Sequence, residues 1–313
     1  MAEPLKLEER APAASLAIQP KRATSGMSVD RILGFVLPLA VLIVFLLAWQ
    51  YLPKAVGLHK YEFPNLSDTI QGLRDDWNII GTSMMITLQD ALVGFLLGNG
   101  LAVLGATIFI YSRNMERAFY PVAILVQTIP ILVYAPLFVI FFFRVSVFKN
   151  DPQGAAVVAV AVVITFFPTL VNMTVGLKTI DPRTYELMRL LNASKTQIFL
   201  KLRFPSSIPF LFSSLKITST LAFVGALVGE YMVNGGLNPI GQLLSHAGVN
   251  SVLGFSTNPT NASGIGGQYQ TFYSQLDYPG LFASVFAVSL LAILFFGLMV
   301  LLQRIFVPWQ KTQ

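Results

Sequence analysis

Three ionisable side chains, Asp90, Lys216 and Glu230, lie inside long apolar stretches of this chain. A charge within hydrocarbon is costly, so such groups typically move ions, protons or polar solutes across a membrane. Glu230 is the best candidate for a gate, the alternative being an anchor at the membrane interface. Asp90 is either a pathway residue or a hydrated group near the outer interface. Lys216 has a stem long enough to reach the cytoplasmic surface.

Uncharged polar residues extend this set at a break in one apolar stretch. Pro130 and Pro136 leave backbone carbonyls without helical donors, which is tolerated in a membrane where neighbouring helices or a water-filled path satisfy them. We therefore expect a path for a polar solute. Its predicted lining or gate comprises Asp90, Gln127, Thr128, Pro130, Tyr134, Asn172 and Glu230.

Catalytic signatures are absent from the sequence. It has no Gly-x-x-x-x-Gly-Lys-Ser/Thr loop for ATP, no His-Glu-x-x-His motif and no Gly-x-Ser-x-Gly motif. Cysteine is absent, and the two histidines, His59 and His246, are far apart, so we expect no metal site. The chain is predicted not to be an enzyme.

Composition indicates a membrane protein with an all-α fold. Apolar residues make up 54% and charged residues 12%, against about 25% charged in soluble domains. A helix needs roughly 20 apolar residues to cross a bilayer. Six segments meet or approach this length: 32–51, 82–110, 119–143, 155–177, 208–232 and 279–302. Residues 63–77, with Ser67-Asp68 as a cap, are predicted to form an outer interfacial helix.

The positions of lysine and arginine predict the orientation. If the N-terminus is cytoplasmic, fifteen of the 21 Lys and Arg residues fall on the inner side and five on the outer side. The positive-inside rule then places both termini in the cytoplasm. It also places the loop between the fourth and fifth segments there.

That loop encodes two short helices. Asp181 can cap a helix that has Pro182 at its first position, and Ser194 with Gln197 forms a capping box for a second helix. Asn192 tolerates the left-handed conformation of the turn between them. The first helix is expected to have one apolar face: Tyr185, Met188 and Leu191. The loop is either a docking element for a partner or a solvated amphipathic linker.

At these residues the chain resembles the permease subunits of bacterial binding-protein-dependent ABC transporters. Glu186 matches the Glu of the family's Glu-Ala-Ala signature, whereas Leu187 and Met188 replace the alanines and Asn192 replaces a Gly. Phe204-Pro205 replaces a Leu-Pro pair. The resemblance implies a coupling helix for the ATPase subunit, carried by Tyr185, Glu186, Leu187, Met188, Leu191, Asn192, Ala193 and Ser194.

The run from Gln127 to Pro130, followed by Ala135-Pro136-Leu137, resembles the nitrate, sulfonate and taurine branch of this family. That branch also imports thiamine-precursor pyrimidines and riboflavin, so the resemblance does not name the cargo. Glu230 matches a Glu that recurs in the branch, where contact with a docked binding protein is a second possible role.

The resemblance implies the permease subunit of an ATP-driven importer in the bacterial inner membrane, built as a type I bundle. It implies a homodimer that takes a small polar or anionic solute from an extracytoplasmic binding protein. ATP and magnesium would be bound by separate ATPase subunits. The alternatives are a proton- or sodium-coupled secondary transporter, or a structural scaffold or receptor subunit.

The predicted organisation places a permease domain at residues 31–307 between cytoplasmic tails at 1–30 and 308–313, the first of them disordered. It contains the coupling loop, 178–207, and an extracytoplasmic insertion, 233–278. This insertion is rich in Gly, Asn, Ser and Thr and holds no Lys or Arg. It is either a flexible insertion or a recognition surface with the candidates His246, Tyr269, Phe272 and Tyr273.

Overall fold

A computed structural model describes residues 29–59, 62–144, 152–233 and 264–308, and all regular structure in these ranges is helical. The predictions for the N-terminal tail and His246 lie outside the described residues. The helices are α1 (Val29–Ala55), α2 (Leu66–Asp75), α3 (Trp77–Tyr111), α4 (Arg113–Gln127), α5 (Ile131–Arg144), α6 (Pro152–Lys178), α7 (Pro182–Leu190), α8 (Lys195–Ile198), α9 (Phe204–Tyr231), α10 (Ile265–Ser274) and α11 (Tyr278–Phe306).

The expected all-α bundle of about six spans is confirmed. Five helices within the described ranges are long and apolar enough to cross a membrane. They are Val36–Ala55, Trp77–Tyr111, Gln153–Lys178, Lys195–Tyr231 and Tyr278–Phe306. The pair Arg113–Gln127 and Ile131–Phe142, bent by 101°, forms a sixth span if its halves are taken together. The bend follows Gln127 and includes Pro130, as the proline spacing predicts.

The chain divides into two units, residues 1–49 and 50–313. In the first, the described residues belong to α1, whose apolar side chains are exposed. The second holds the other ten helices. A π-helical turn, Phe199–Arg203, joins α8 to α9, so that one continuous helix runs from Lys195 to Tyr231.

The core of the second unit is built on α6, which packs against α3 and α9. Ala161 of α6 lies between two glycines. A Cβ atom at Gly94 of α3 would stand 2.3 Å from the Ala161 Cβ, and one at Gly225 of α9 would stand 2.8 Å from the Ala161 Cα. Small residues therefore let the three backbones approach closely, as is usual between membrane helices.

One end of this bundle holds the start of α3 at Trp77 and the start of α11 at Tyr278, next to the neighbouring carboxylates of Asp76 and Asp277, and we call it the Trp77 end. Here α2 packs closely on α11. A Cβ atom at Gly72 would stand only 2.8 Å from the Pro279 carbonyl carbon. The predicted Ser67-Asp68 cap is wrong in its first residue. Asn65 is the N-cap of α2 and forms a capping box with Asp68.

Candidate functional site

The loop between α6 and α9 has the predicted local structure. The Asp181 carboxylate accepts hydrogen bonds from the Thr184 hydroxyl at 2.7 Å and the Thr184 N–H at 3.2 Å, which lower the pKa of Asp181. Ser194 and Gln197 form a capping box at the start of α8. Asn192 has a φ of 53°, in the left-handed region. Each predicted cap is confirmed, since each depends on neighbouring residues alone.

The exposed apolar side of α7 differs from the predicted face. Tyr185 and Met188 are half-buried. The side chains that project from the helix are leucines: Leu187 is 55% exposed, Leu190 81% and Leu191 69%. Leu190 is thus a candidate that helical periodicity from Tyr185 missed. Glu186, Asn192 and Ser194 are exposed and Ala193 is half-buried.

Two contacts hold this loop to the ends of neighbouring helices. Arg203 places its guanidinium 5.7 Å from the centre of the Tyr185 ring and donates a hydrogen bond of 2.8 Å to the Leu177 carbonyl. Lys178 at the end of α6 forms an ion pair with Glu116 of α4. The Arg203–Tyr185 contact thus attaches the half-buried side of α7 to the bundle, while the leucines remain exposed.

A cavity of about 220 Å³, open on one side, lies between the broken span, α6 and α9. Its polar lining groups are Gln127 and Tyr134, and the Tyr134 hydroxyl donates a hydrogen bond to the Val126 carbonyl. The lining residues are Gln127, Ile129, Ile131, Tyr134, Val160, Val163, Ile164, Phe167, Pro168 and Leu221. The structure thus brings together two of the predicted pathway residues, with Thr128 and Pro130 in the intervening break.

The other predicted pathway residues do not line this cavity. Asn172 of α6 donates a hydrogen bond of 2.9 Å to the Pro168 carbonyl, one turn away on its own helix. Asp90 of α3 is half-buried and interacts electrostatically with Glu230. The predicted set therefore separates into a group at the break, the Asp90–Glu230 pair between α3 and α9, and Asn172 on α6.

Glu230 is buried, with 2% of its surface exposed. Its Oε2 atom accepts hydrogen bonds from the Thr87 hydroxyl at 2.9 Å and from the Gly266 N–H at 2.8 Å. A side chain in these surroundings does not anchor a helix at a lipid–water interface, so that alternative is wrong.

The segment 264–278 of the predicted insertion contains α10. Phe272 is 4% exposed, so the prediction that it belongs to a recognition surface is wrong. Tyr269 is half-buried with its ring 5.9 Å from that of Tyr231, whereas Tyr273 is 54% exposed. The apolar positions of α10 pack on α9 and α11, a tertiary contact that a Gly- and Ser-rich composition concealed.

A second polar cluster was missed from the sequence. Asn99 of α3 accepts hydrogen bonds at its Oδ1 from Thr169 of α6 at 2.5 Å and from Thr218 of α9 at 3.0 Å. All three side chains are buried. An asparagine in an apolar helix was the available signal, because buried amides require partners. This cluster links the three central helices.

In the part of the chain that the structure describes, no cluster of three or more His, Asp or Glu side chains could hold a metal ion. The arrangement offers a short helix with exposed leucines, a cavity at a broken span and buried polar contacts between helices.

Comparison with known proteins gives a family match over most of the chain. The family model described as "Binding-protein-dependent transport system inner membrane component" matches residues 94–312. The formylaminopyrimidine transport permease protein ThiX of Halalkalibacterium halodurans is 30% identical over 277 residues, covering 88% of this chain and 96% of the relative. The riboflavin transport system permease protein RibX of Chloroflexus aurantiacus is 25% identical, covering 90% and 91%. The nitrate import permease protein NrtB of Synechocystis is 23% identical, covering 70% and 79%.

Proposed function

Because this chain belongs to the family of binding-protein-dependent transport system inner membrane components, we propose that α7 is the helix by which it grips a cytoplasmic ATPase subunit. Family membership makes the chain the multi-pass permease subunit of an ATP-driven importer. The partner contacts, the solute and the oligomeric state given below are our proposals.

The exposed leucines of α7 carry the coupling proposal. Leu187, Leu190 and Leu191 lie on a helix capped at its start by Asp181 and turned at its end by Asn192. Burying a leucine side chain against a partner is worth about 1.5–3 kcal/mol. The proposed coupling surface therefore consists of these leucines and their neighbours: Tyr185, Glu186, Met188, Asn192, Ala193 and Ser194.

This role requires α7 to face the cytoplasm, with both termini on the same side. The excess of Lys and Arg on that side supports the orientation. It puts the Trp77 end outside, where a solute-binding protein would dock. ATP and magnesium are then bound by the ATPase subunit, and this chain binds no cofactor.

The solute path is proposed to run along the broken span, in a homodimer whose interface forms the path. The cavity that contains Gln127 and Tyr134 supports this placement, since a break in a membrane helix is tolerated where it lines a cavity. Thr128 and Pro130 belong to the break, and Asn172 extends the path along α6. Asp90 is proposed as a polar group at its outer end.

The cargo is proposed to be a small polar or anionic solute delivered by the extracytoplasmic binding protein. The named relatives transport a formylaminopyrimidine, riboflavin or nitrate. Their range of charge and size indicates that selectivity resides largely in the binding protein, which makes the permease path permissive.

The coupling proposal is tested by purifying the chain together with its genomic neighbours. Leu190→Ser and Glu186→Lys are compared with Thr196→Ser, an exposed change on the adjacent α8. We expect the first two to release the ATPase subunit or abolish transport-coupled ATP hydrolysis, and the third to do neither. Transport by the chain alone, driven by a proton or sodium gradient and unaffected by either change, would favour a secondary transporter.

A further inference from the structure

The N-terminus of α10 is capped by side chains from two other helices. Its N-cap residue is Gly264, which has no side chain to accept a hydrogen bond. Instead, the Ile265 N–H donates to the Thr87 hydroxyl oxygen at 2.8 Å, and the Gly266 N–H donates to Glu230 Oε2 at 2.8 Å. The first amide groups of a helix have no partner within the helix itself. Here α3 and α9 provide them.

The backbone of α10 is shaped to admit this cap. A Cβ atom at Gly264 would stand 2.1 Å from Glu230 Oε1, and a Cβ at Gly266 would stand 2.3 Å from the Leu227 carbonyl oxygen. A side chain at position 266 would clash with the backbone of α9, and one at position 264 would displace the Glu230 carboxylate from the cap. The glycines that made this segment resemble a flexible linker therefore have a packing role.

The start of α10 and its cap are enclosed by protein. Thr87 is 0% exposed and Ile265 is 0% exposed. At the other end of the helix, Phe272 packs against Gly280 of α11, where a Cβ would stand 2.8 Å from the phenyl ring. Contacts at both ends, on three helices, hold α10 in one position at the Trp77 end.

We propose that Glu230 and Thr87 are positioning residues that fix α10 as a permanent plug at the outer end of the bundle, and that this plug stays seated during transport. The solute then passes the break side of the bundle, and the seat of α10 between α3, α9 and α11 is not part of its path. This inference rests on the proposed function, which supplies the transport cycle and identifies the outer face.

The absence of cysteine from the chain makes the test direct. Ile265→Cys places a single thiol at the buried start of α10, and Ser274→Cys places one at its exposed end as a control. Each is labelled with a membrane-impermeant maleimide in the assembled complex, at rest and after trapping with ATP and vanadate. The same labelling is done in Glu230→Ala, Glu230→Gln, Thr87→Val and Thr87→Ser backgrounds.

We expect the thiol at position 265 to be protected in both states of the parent, while the thiol at position 274 is labelled. Glu230→Ala and Thr87→Val should raise the labelling rate at position 265 about tenfold, because each removes an acceptor for a buried N–H group. Glu230→Gln and Thr87→Ser keep an acceptor and should preserve protection. A general loss of folding would expose the thiol in all four backgrounds.

Two results would overturn the proposal. Labelling at position 265 of the parent after trapping would show that α10 leaves its seat during transport. Continued protection in both Glu230→Ala and Thr87→Val would show that these side chains do not hold it. Failure of the proposed function would instead appear as an absence of vanadate-sensitive ATP hydrolysis in the same preparation, whatever the labelling contrast.

Discussion

Gly98 of α3 lies so close to Thr165 of α6 that a Cβ atom at position 98 would stand 2.1 Å from the Thr165 hydroxyl oxygen. The same atom would stand 2.7 Å from the Val162 carbonyl oxygen. Two residues further along α3, a Cβ atom at Gly100 would have no atom of another helix within 4 Å. One helix thus presents a glycine that the packing requires and one that it does not.

Gly98→Ala should destabilise the chain, whereas Gly100→Ala should not. Overpacking a close helix contact costs about 1–3 kcal/mol. The amount of monodisperse protein recovered in detergent and its midpoint of thermal unfolding measure the difference. Equal midpoints for the two variants would contradict the close α3–α6 contact.

Asn99→Leu should loosen the three central helices, because it removes the oxygen that accepts from Thr169 and Thr218. Hydrogen bonds between membrane helices average about 0.6 kcal/mol each, so a loss of about 1 kcal/mol is expected. Asn172→Leu is the matched control, since its amide bonds only within α6. Unfolding in a denaturing detergent compares the two. A larger effect at position 172 would count against the cluster.

Asn192→Gly should leave coupling intact and stabilise the loop. Asn192→Val should destabilise the loop and weaken coupling. The left-handed conformation, with φ of 53°, costs a non-glycine residue about 1–2 kcal/mol. Retention of the ATPase subunit on a column after washing measures coupling. Thr196→Val, at an exposed position of α8, controls for the introduction of a β-branched side chain. If the valine and glycine variants retained the ATPase subunit equally, the left-handed turn at position 192 would be refuted.

Asp76 gives a pH-dependent prediction for the corner between α2 and α3. Burial, followed by the charges of Asp277 and Asp75, raises the pKa of Asp76 above its ordinary value of 3.8. The folded chain therefore holds this proton more tightly than the unfolded chain does. Its contribution to stability is present below the ordinary pKa and is lost as pH rises through the folded value.

Asp76→Asn should accordingly raise stability more at neutral pH than at about pH 4. It removes a group whose burial is unfavourable when it is charged. The difference between the unfolding midpoints at the two pH values is the quantity to measure. Glu186→Gln removes an exposed carboxylate and should leave that difference close to the parental one. If Asp76→Asn kept the same difference between midpoints as the parent, the pH dependence would arise from other groups.

The local structure of the α7–α8 loop was predictable because its determinants are adjacent in sequence. Asp181 lies next to the residues that it caps, and Ser194 lies three residues from Gln197. The side of α7 that points outward was not predictable, since it depends on Arg203 drawing Tyr185 toward the bundle.

The role of Glu230 was less accessible still. Its partners, Thr87 and Gly266, are separated from it by 143 and 36 residues. An acidic residue in an apolar run indicates that some partner exists and gives no means of identifying it. Likewise, the burial of Phe272 depends on Gly280 of α11, which spacing within α10 cannot reveal.

The continuous helix from Lys195 to Tyr231 has 37 residues and is therefore about 55 Å long. One end emerges from the loop that carries the leucines of α7, and Glu230 lies at the other end. With the orientation proposed above, this helix would connect the two surfaces of the membrane. A tilt of about 10° around its midpoint, shared with α3 and α10 so that the contacts of Glu230 persist, would carry each end through roughly 5 Å. Force applied by an ATPase subunit at one surface would thus be felt at the opposite surface without any chain of intermediate side-chain rearrangements.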